Sequence, residues 1–463
     1  MSSIESLRAA RVKKLELLIK SGVNPYPSKV PRDISLKQAL DSFDSLQKDG
    51  KNVSLGGRVM AVRGQGSILF AVIYDGTEKF QAVFKKNAMK ENDFSLFNNA
   101  VDIGDFISVT GSFFLTESGE KSVLVSSWKM CAKSLLPLPE KREGLKDPEE
   151  RFRKRYLDLL SNEKTRERFL LRSRIVAEFR QILSRSGFVE VETSMLQQIP
   201  GGANAQPFKT HHNALDIDLF LRIAPELDLK KLLIGGFPKV FEIGRSFRNE
   251  GIDVTHNPEF TTIEWYEAWS DAERQRAFVE EVIKEIIKSA RGEFVLSHEG
   301  TKIDFSKPFA VFSYFDLLKR AGPVPVNEKE MDAVFKKEIK PKLIQPSFVI
   351  DYPKNMLPLA KGKENSTEIV DAFQLYAGGV EIVKAFSELN DPIEQRARFE
   401  EQERRRKAGD EEAEPSDESF LEALEYGMPP AGGVGIGIER LAMLLTDSHN
   451  IRDVILFPTL RPR

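Results

Sequence analysis

A chain of 463 residues, 41% hydrophobic and 30% charged, has material for two or three cored domains and the composition of an ordinary globular protein. Its formal net charge of −2 supplies no bulk field for a polyanion, so a nucleic-acid partner needs locally clustered cations. The single cysteine, Cys131, excludes an intramolecular disulfide or a cysteine zinc cluster, and no apolar run is long enough to span a bilayer; the expectation is a cytoplasmic protein with no membrane partner.

Residues 1–50 predict a helical extension, broken at Asn24-Pro25-Tyr26-Pro27. Its first twenty residues carry Arg8, Arg11, Lys13, Lys14 and Lys20 against Glu5 and Glu16. Residues 51–135 change character. The runs VSLGGRVM, ILFAVIYD, KFQAVF, DFISVTGSFFL and KSVLVSSWKM, separated by Gly, Asp-Gly and Ser-Gly turns, predict five strands and, most economically, an OB-fold barrel. Phe70 lies in one of these apolar runs and on the residues alone reads as core. Residues 136–150, opening on Leu136-Pro137-Leu138-Pro139, predict a linker. A second basic cluster, Lys141, Arg142, Lys146, Arg151, Arg153, Lys154 and Arg155, follows; each cluster suits a phosphate backbone and a solvated helix face equally. From 151 to 463, helices predicted over 163–187, 271–290 and 391–407 alternate with grouped strands. That distribution predicts an α+β domain, an antiparallel sheet flanked by helices, rather than βαβ repeats. The charged run 400–418 predicts an exposed helix and a turn without function.

Three stretches carry chemistry. Residues 240–267, VFEIGRSFRNEGIDVTHNPEFTTIEWYE, read as strand, polar loop, strand. In the second strand Phe260, Thr262, Glu264 and Tyr266 share one parity and so one face. An aromatic, a hydroxyl, a carboxylate and a phenol together suit a binding surface; a solvent-facing sheet is the plainer alternative. Arg245 and Arg248 give this hairpin a cationic end suited to phosphate. In residues 432–446, GGVGIGIERLAMLLT, Gly433, Gly435 and Gly437 let backbone pass close to a ligand, and a helix is predicted from Glu439-Arg440. Glycine packing in a tight strand-to-helix turn explains that run as well. In residues 378–391, GGVEIVKAFSELND, Lys384, Phe386 and Glu388 alternate onto one face. Glu381 falls out of phase, so a bulge or a strand start must intervene if all four serve one site. A carboxylate in a strand with Ile382, Val383 and Ala385 is costly unless a cation meets it.

Together, FRNEG…EFT…E and GxGIGxER resemble the second and third signature motifs of the class II aminoacyl-tRNA synthetases. The resemblance narrows to the lysyl-tRNA synthetase family through IPGGANAQPFKTHHNALDIDLFLRIAPELDLKKLL (199–233), HNPEFTTIEWYEA and FSELNDPIEQRARFEEQ (386–402). It extends over essentially the whole chain, NPYP and RFRKRYLDLL included. It implies an OB-fold anticodon-binding domain at 51–135 and a class II catalytic domain at 151–463. The implied reaction activates L-lysine with ATP and transfers it to the 3′ end of tRNA(Lys), with Mg2+ bridging the phosphates.

The same resemblance assigns residues. Arg248 would grip the α-phosphate and the lysine carboxylate, and Arg440 the γ-phosphate, as the catalytic pair. Glu250, His256, Phe260 and Glu381 would lie at ATP, Phe260 stacking on adenine. Glu226, Glu264, Tyr266, Phe386 and Glu388 would line the amino-acid pocket, with Gly202 and Ala224 contributing backbone. The family holds metal on two glutamates; Glu381 matches one, but the other position is Gln374, whose neutral amide would hold a metal more weakly. Lys384 stands where the family has asparagine and is expected to turn toward Glu381 or the phosphates. Ser194 stands where the first motif has proline, in a segment that supports a homodimer interface; Glu439 for aspartate is a minor change. In the barrel Phe70, Gln81 and Glu120 match anticodon-contacting positions, with Arg58 expected at the RNA backbone. Two other readings are a synthetase-like protein lysyltransferase, whose relatives lack the barrel, and a non-catalytic OB-fold tRNA-binding protein. Retention of Arg248, Glu264, Glu388 and Arg440 speaks against the second.

Overall fold

Alternating burial closes the strands of the amino-terminal region into a barrel in the computed structural model of the chain, which describes residues 4–139, 144–409, 413 and 415–462. Lys141 and Arg142 of the second basic cluster, and 410–412 and 414 of the charged run, lie outside the described residues. The chain divides into two units, Met1–Gly144 and Leu145–Arg463.

In the first unit the strands Val53–Gln65, Ile68–Tyr74, Lys79–Lys85, Lys121–Ala132 and Phe106–Leu115 are neighbours in that order around a closed barrel. Leu69, Ala71, Ile73, Phe80, Ala82 and Phe84 point inward and are buried. A helix that the strand pattern did not announce, Glu91–Ala100, adds Phe94 and Phe97 to this core, Phe97 stacked on Phe84 at 3.8 Å between ring centroids. The leading helix Ile4–Lys20 is tied down by part of the first basic cluster: Arg11 donates to the carbonyls of Ile103, Ser134 and Leu136, and Lys14 pairs with Asp102 at 2.6 Å.

The second unit is built on an eight-stranded sheet: Ala310–Ser313, Ser347–Ile350, Ala372–Ala377, Val380–Ser387, Ala431–Gly437, Glu259–Ala268, Lys239–Phe247 and Val189–Glu190, in spatial order. It is antiparallel except for the outermost pair at each edge. The helices Glu163–Arg185 and Ala272–Arg291 cover one face. In the second of these, Val279, Val282, Ile283, Ile286 and Ile287 recur at helical spacing and are buried with Phe241, Ile263, Trp265, Val383 and Val434 of the sheet. Asp271 caps its start, accepting from the Arg274 amide, an interaction worth about 1 kcal/mol. Gly292 ends it at φ 77°. Because strand side chains alternate, the residues between these core positions face the other side, and there the sheet forms the floor of a cleft.

Four further members of the second basic cluster are engaged locally. Arg151 pairs with Asp158, Arg153 with Glu149 and Lys154 with Glu150, and Arg155 is fully buried against Asp158 at 2.9 Å. These pairings engage four cations of the cluster, and Arg155 lies in the core rather than on a solvated helix face.

Candidate active site

The cleft floor is set by strand register. Glu264, Gly435, Lys384 and Gln374 form one cross-strand row, and Tyr266, Gly433, Phe386 and Ala372 the next. The pairing of Ala372–Ala377 with Val380–Ser387 slips between Leu375 and Tyr376, so that Tyr376 faces Glu381 while Gln374 faces Lys384. This irregularity brings the out-of-phase Glu381 to the same cleft as Lys384, Phe386 and Glu388.

At the closed end, Glu226, Glu264 and Glu388 are buried, at 7%, 7% and 1% exposure. Tyr266 donates its hydroxyl to Glu264 at 3.0 Å, and Phe386 forms an apolar wall. Gly202 and Ala224 complete the lining; Gly202 has φ +90°, and a Cβ there would meet the Glu226 Cβ at 2.9 Å. Of Gly433, Gly435 and Gly437, it is Gly433 that close approach within the cleft demands: a Cβ would lie 2.0 Å from Glu388 Oε1 and 2.5 Å from the Tyr266 ring. Gly435 and Gly437 have ordinary room.

A cation that the sequence reading missed sits beneath these acids. Lys230, fully buried, pairs with Glu226 at 2.6 Å and with Glu388. Its ammonium is held charged against burial by those two carboxylates. Burial and the neighbouring Glu226 push the Glu264 carboxyl up to about 8, against the pull of Tyr266 and Arg248. Burial also raises the Glu388 carboxyl well above its usual range, with Lys230 opposing. Lys230 thus pairs with two of the three acids, Glu226 and Glu388, and leaves Glu264 without an ion pair.

The open end is cationic. Arg248 follows the Lys239–Phe247 strand and lies 5.1 Å over the Phe260 ring, so a guanidinium and an aromatic face form one platform. Arg440, in the first turn of the helix Ile438–Leu445, pairs with Glu381 at 3.2 Å and reaches His256 Nε2 at 3.4 Å. Glu250 lines the same wall. Arg245 turns away from the cleft instead of sharing its cationic end; it sits beside Glu259 (3.5 Å) and Glu439 (4.0 Å). Glu439 is buried and accepts from Arg172 and the Thr261 amide, tying the helix to the sheet. Met356, Leu357, Pro358 and Leu359 also line the cleft, from a loop without a recognisable motif.

The donors do not suit a metal anchored by the protein. Among the described residues no three His, Cys, Asp or Glu side chains converge on a metal position. Gln374 Oε1 already accepts from the Tyr352 hydroxyl at 2.9 Å and from the Tyr376 hydroxyl, and Glu381 is engaged by Arg440.

In the barrel, Phe70 is half-buried between the inward-facing Leu69 and Ala71, so it stands on the outer wall and not in the core as its apolar run suggested. Gln81 is the cross-strand partner of Val72, diagonal to Phe70, and donates to Ser122 at 2.9 Å; Ser122 in turn donates to the Glu120 carbonyl at 3.1 Å. The three expected positions therefore share one outer patch. Arg58 is half-buried on the outer wall of the barrel, donating to the Gly104 carbonyl at 3.1 Å and lying 4.2 Å over Phe106.

The family described as tRNA synthetases class II (D, K and N) matches residues 147–461, and an OB-fold nucleic acid binding domain matches 53–130. A Lysine--tRNA ligase from Carboxydothermus hydrogenoformans is 46% identical over 99% of both chains. One from Pelotomaculum thermopropionicum is 46% identical over 99% of this chain and 96% of its own, and one from Clostridium novyi 44% identical over 100% and 96%. The chain belongs to the class II tRNA synthetases and, within them, to the lysine–tRNA ligase family.

Proposed function

We propose that this chain is a lysine–tRNA ligase: it condenses L-lysine with ATP to lysyl-adenylate and pyrophosphate, then passes the lysyl group to the 3′ end of tRNA(Lys). The observation that carries the reading is a single cleft with buried, under-neutralised carboxylates at one end and arginines beside an aromatic platform at the other.

The chemistry needs no general base, because the lysine carboxylate is already a nucleophile at neutral pH. It attacks the α-phosphorus in line, forming the acyl–phosphate bond as the bond to pyrophosphate breaks. What the protein must supply is positioning and compensation of charge. Arg248 takes the α-phosphate and the attacking carboxylate, Arg440 the terminal phosphate, and Phe260 the adenine, with Glu250 and His256 alongside. Magnesium enters as part of the substrate, carried on the phosphates of ATP. Lysine brings two ammonium groups. Glu226 and Glu388, deepest and beside Phe386, receive the ε-ammonium; Glu264, one row nearer Arg248, receives the α-ammonium.

The barrel's outer patch of Phe70, Gln81 and Glu120 is assigned to the anticodon, an aromatic stacking on an unpaired base while polar neighbours read edges. A homodimer is proposed on the exposed apolar residues of the first-motif segment, Val189, Met195, Leu196 and Ile199. Sedimentation should give a dimer that Leu196→Glu dissociates; a monomer at micromolar concentration contradicts this. The proposed site of action is the cytoplasm; no described helix is long and apolar enough to cross a membrane. ATP–pyrophosphate exchange run with each amino acid in turn tests the activity. Exchange with lysine alone is expected; exchange with another amino acid, or with none, refutes it.

A further inference from the structure

Near Glu381 the cleft holds more cation than carboxylate. Arg440, Lys384, Lys340 and Arg248 all act on the Glu381 carboxyl and hold it below its usual range in spite of burial. Glu250 and Glu264 are the other carboxyl groups lining the cleft that act on Arg248. Lys384 is the cation among them with the freest side chain. It is exposed while its strand neighbours Val383 and Ala385 are buried, and it forms no ion pair or hydrogen bond among the described residues. It lines the cleft, and its cross-strand partner is Gln374.

Gln374 itself is unsuited to hold a divalent ion. It brings no charge, and its amide oxygen is occupied by two tyrosine hydroxyls. A metal placed there would have to displace those donors and would sit beside an ammonium four-carbon arm's reach away, an unfavourable neighbour for a dication. A polyphosphate meets the opposite balance: a mobile ammonium on a flexible stem is well suited to an anion whose oxygens are not fixed in one plane. Nor does Lys384 compete with the ε-ammonium of lysine at the closed end, and the Ala431–Gly437 strand separates it from Glu264, which lies in its own row. At roughly 3.3 Å of rise per residue, Glu388 lies about 13 Å further along the strand.

We propose that Lys384 is a phosphate-binding residue of this chain, its ammonium neutralising the phosphate chain of ATP in the place where a protein-held divalent ion would otherwise act. The only divalent ion in the ternary complex is then the one the nucleotide carries in. The assignment rests on the ATP-dependent reading above and sharpens it.

The test uses the full chain with α,β-methylene-ATP, whose α–β bridge cannot be cleaved, and Mn2+ as the metal probe, free Mn2+ being counted by its electron paramagnetic resonance signal. The expected result is one Mn2+ per bound nucleotide and no tight Mn2+ site without nucleotide. In calorimetry Lys384→Asn should weaken the nucleotide analogue about tenfold and Lys384→Arg should retain its affinity, while lysine affinity stays within about twofold in both. Two Mn2+ per nucleotide in the wild type, or an analogue affinity unmoved by Lys384→Asn, overturns the proposal. Because these are binding measurements, they separate it from the parent reading. Normal nucleotide and Mn2+ binding without lysine-dependent exchange would sink the ligase reading and leave the Lys384 assignment standing.

Discussion

The two ends of the cleft treat charge in opposite ways. Glu226, Glu264 and Glu388 are almost wholly removed from water, whereas the Arg440–Glu381 pair keeps about a quarter to a third of each side chain exposed, at 26% and 30%. Burial amplifies an ion's interaction with its partner and equally the penalty when the partner is missing. The closed end is therefore built to select, since a ligand without an ammonium leaves buried carboxylates uncompensated. The open end is built to hold and release a polyanion, where exposure keeps each contact weaker and many contacts share the load.

That contrast can be broken at several points. The largest effect is expected for Glu388→Gln. It removes one partner of a buried ion pair, typically worth about 3–5 kcal/mol, so kcat/KM for lysine should fall roughly 10²–10⁴-fold while KM for ATP stays within about twofold. Comparable losses for both substrates would mean that the ends are not separate. Next is Arg440→Ala, which should lower kcat/KM for ATP by roughly 10²-fold, the usual order for one electrostatic donor at a reacting phosphate, and leave lysine affinity nearly intact. Equilibrium titration with lysine and with ATP distinguishes the two.

A third effect, of moderate size, follows from burial. With its carboxyl raised to about 8, Glu264 is mostly protonated at neutral pH in the empty cleft and must lose that proton to receive an ammonium. Lysine binding then releases a proton, so affinity should rise by up to about tenfold per pH unit from pH 6.5 and level off above about 8. A KM for lysine that is flat or rises over this range contradicts the assignment. The smallest effect concerns the barrel. Phe70→Ala should raise KM for tRNA about tenfold, the order of one lost base stack, with KM for ATP unchanged. Equal changes in both would return Phe70 to a structural role.

Much of this arrangement was legible in the sequence. The shared parity of Phe260, Thr262, Glu264 and Tyr266 gave the cleft face of one strand, and the helix expected over 271–290 agrees with Ala272–Arg291. The phase mismatch of Glu381 pointed to the irregular pairing that brings it to the cleft. The failures have local causes. Lys230 four residues after Glu226 reads as an ordinary solvated helix pair, and only tertiary packing against Phe386 and Phe420 buries it. Phe70 lies among apolar residues, yet barrel curvature puts its parity outside. Arg245 and Arg248 are three apart, an odd spacing that sends them to opposite faces of the sheet. The cleft residues 356–359 come from a loop whose position depends on its packing against distant parts of the fold, to which short-range pattern is blind.

The account turns on buried carboxylates recognising the ε-ammonium of lysine, and calorimetric titration of the full chain with L-lysine and L-norleucine tests it most directly. Norleucine keeps the four-carbon side chain and both α-substituents but lacks that ammonium. Norleucine binding weaker by roughly 10⁴-fold, the discrimination expected when a buried polar site is left unpaired, is the predicted result. Affinities within about tenfold, the range that size and apolar contact alone can explain, would contradict it.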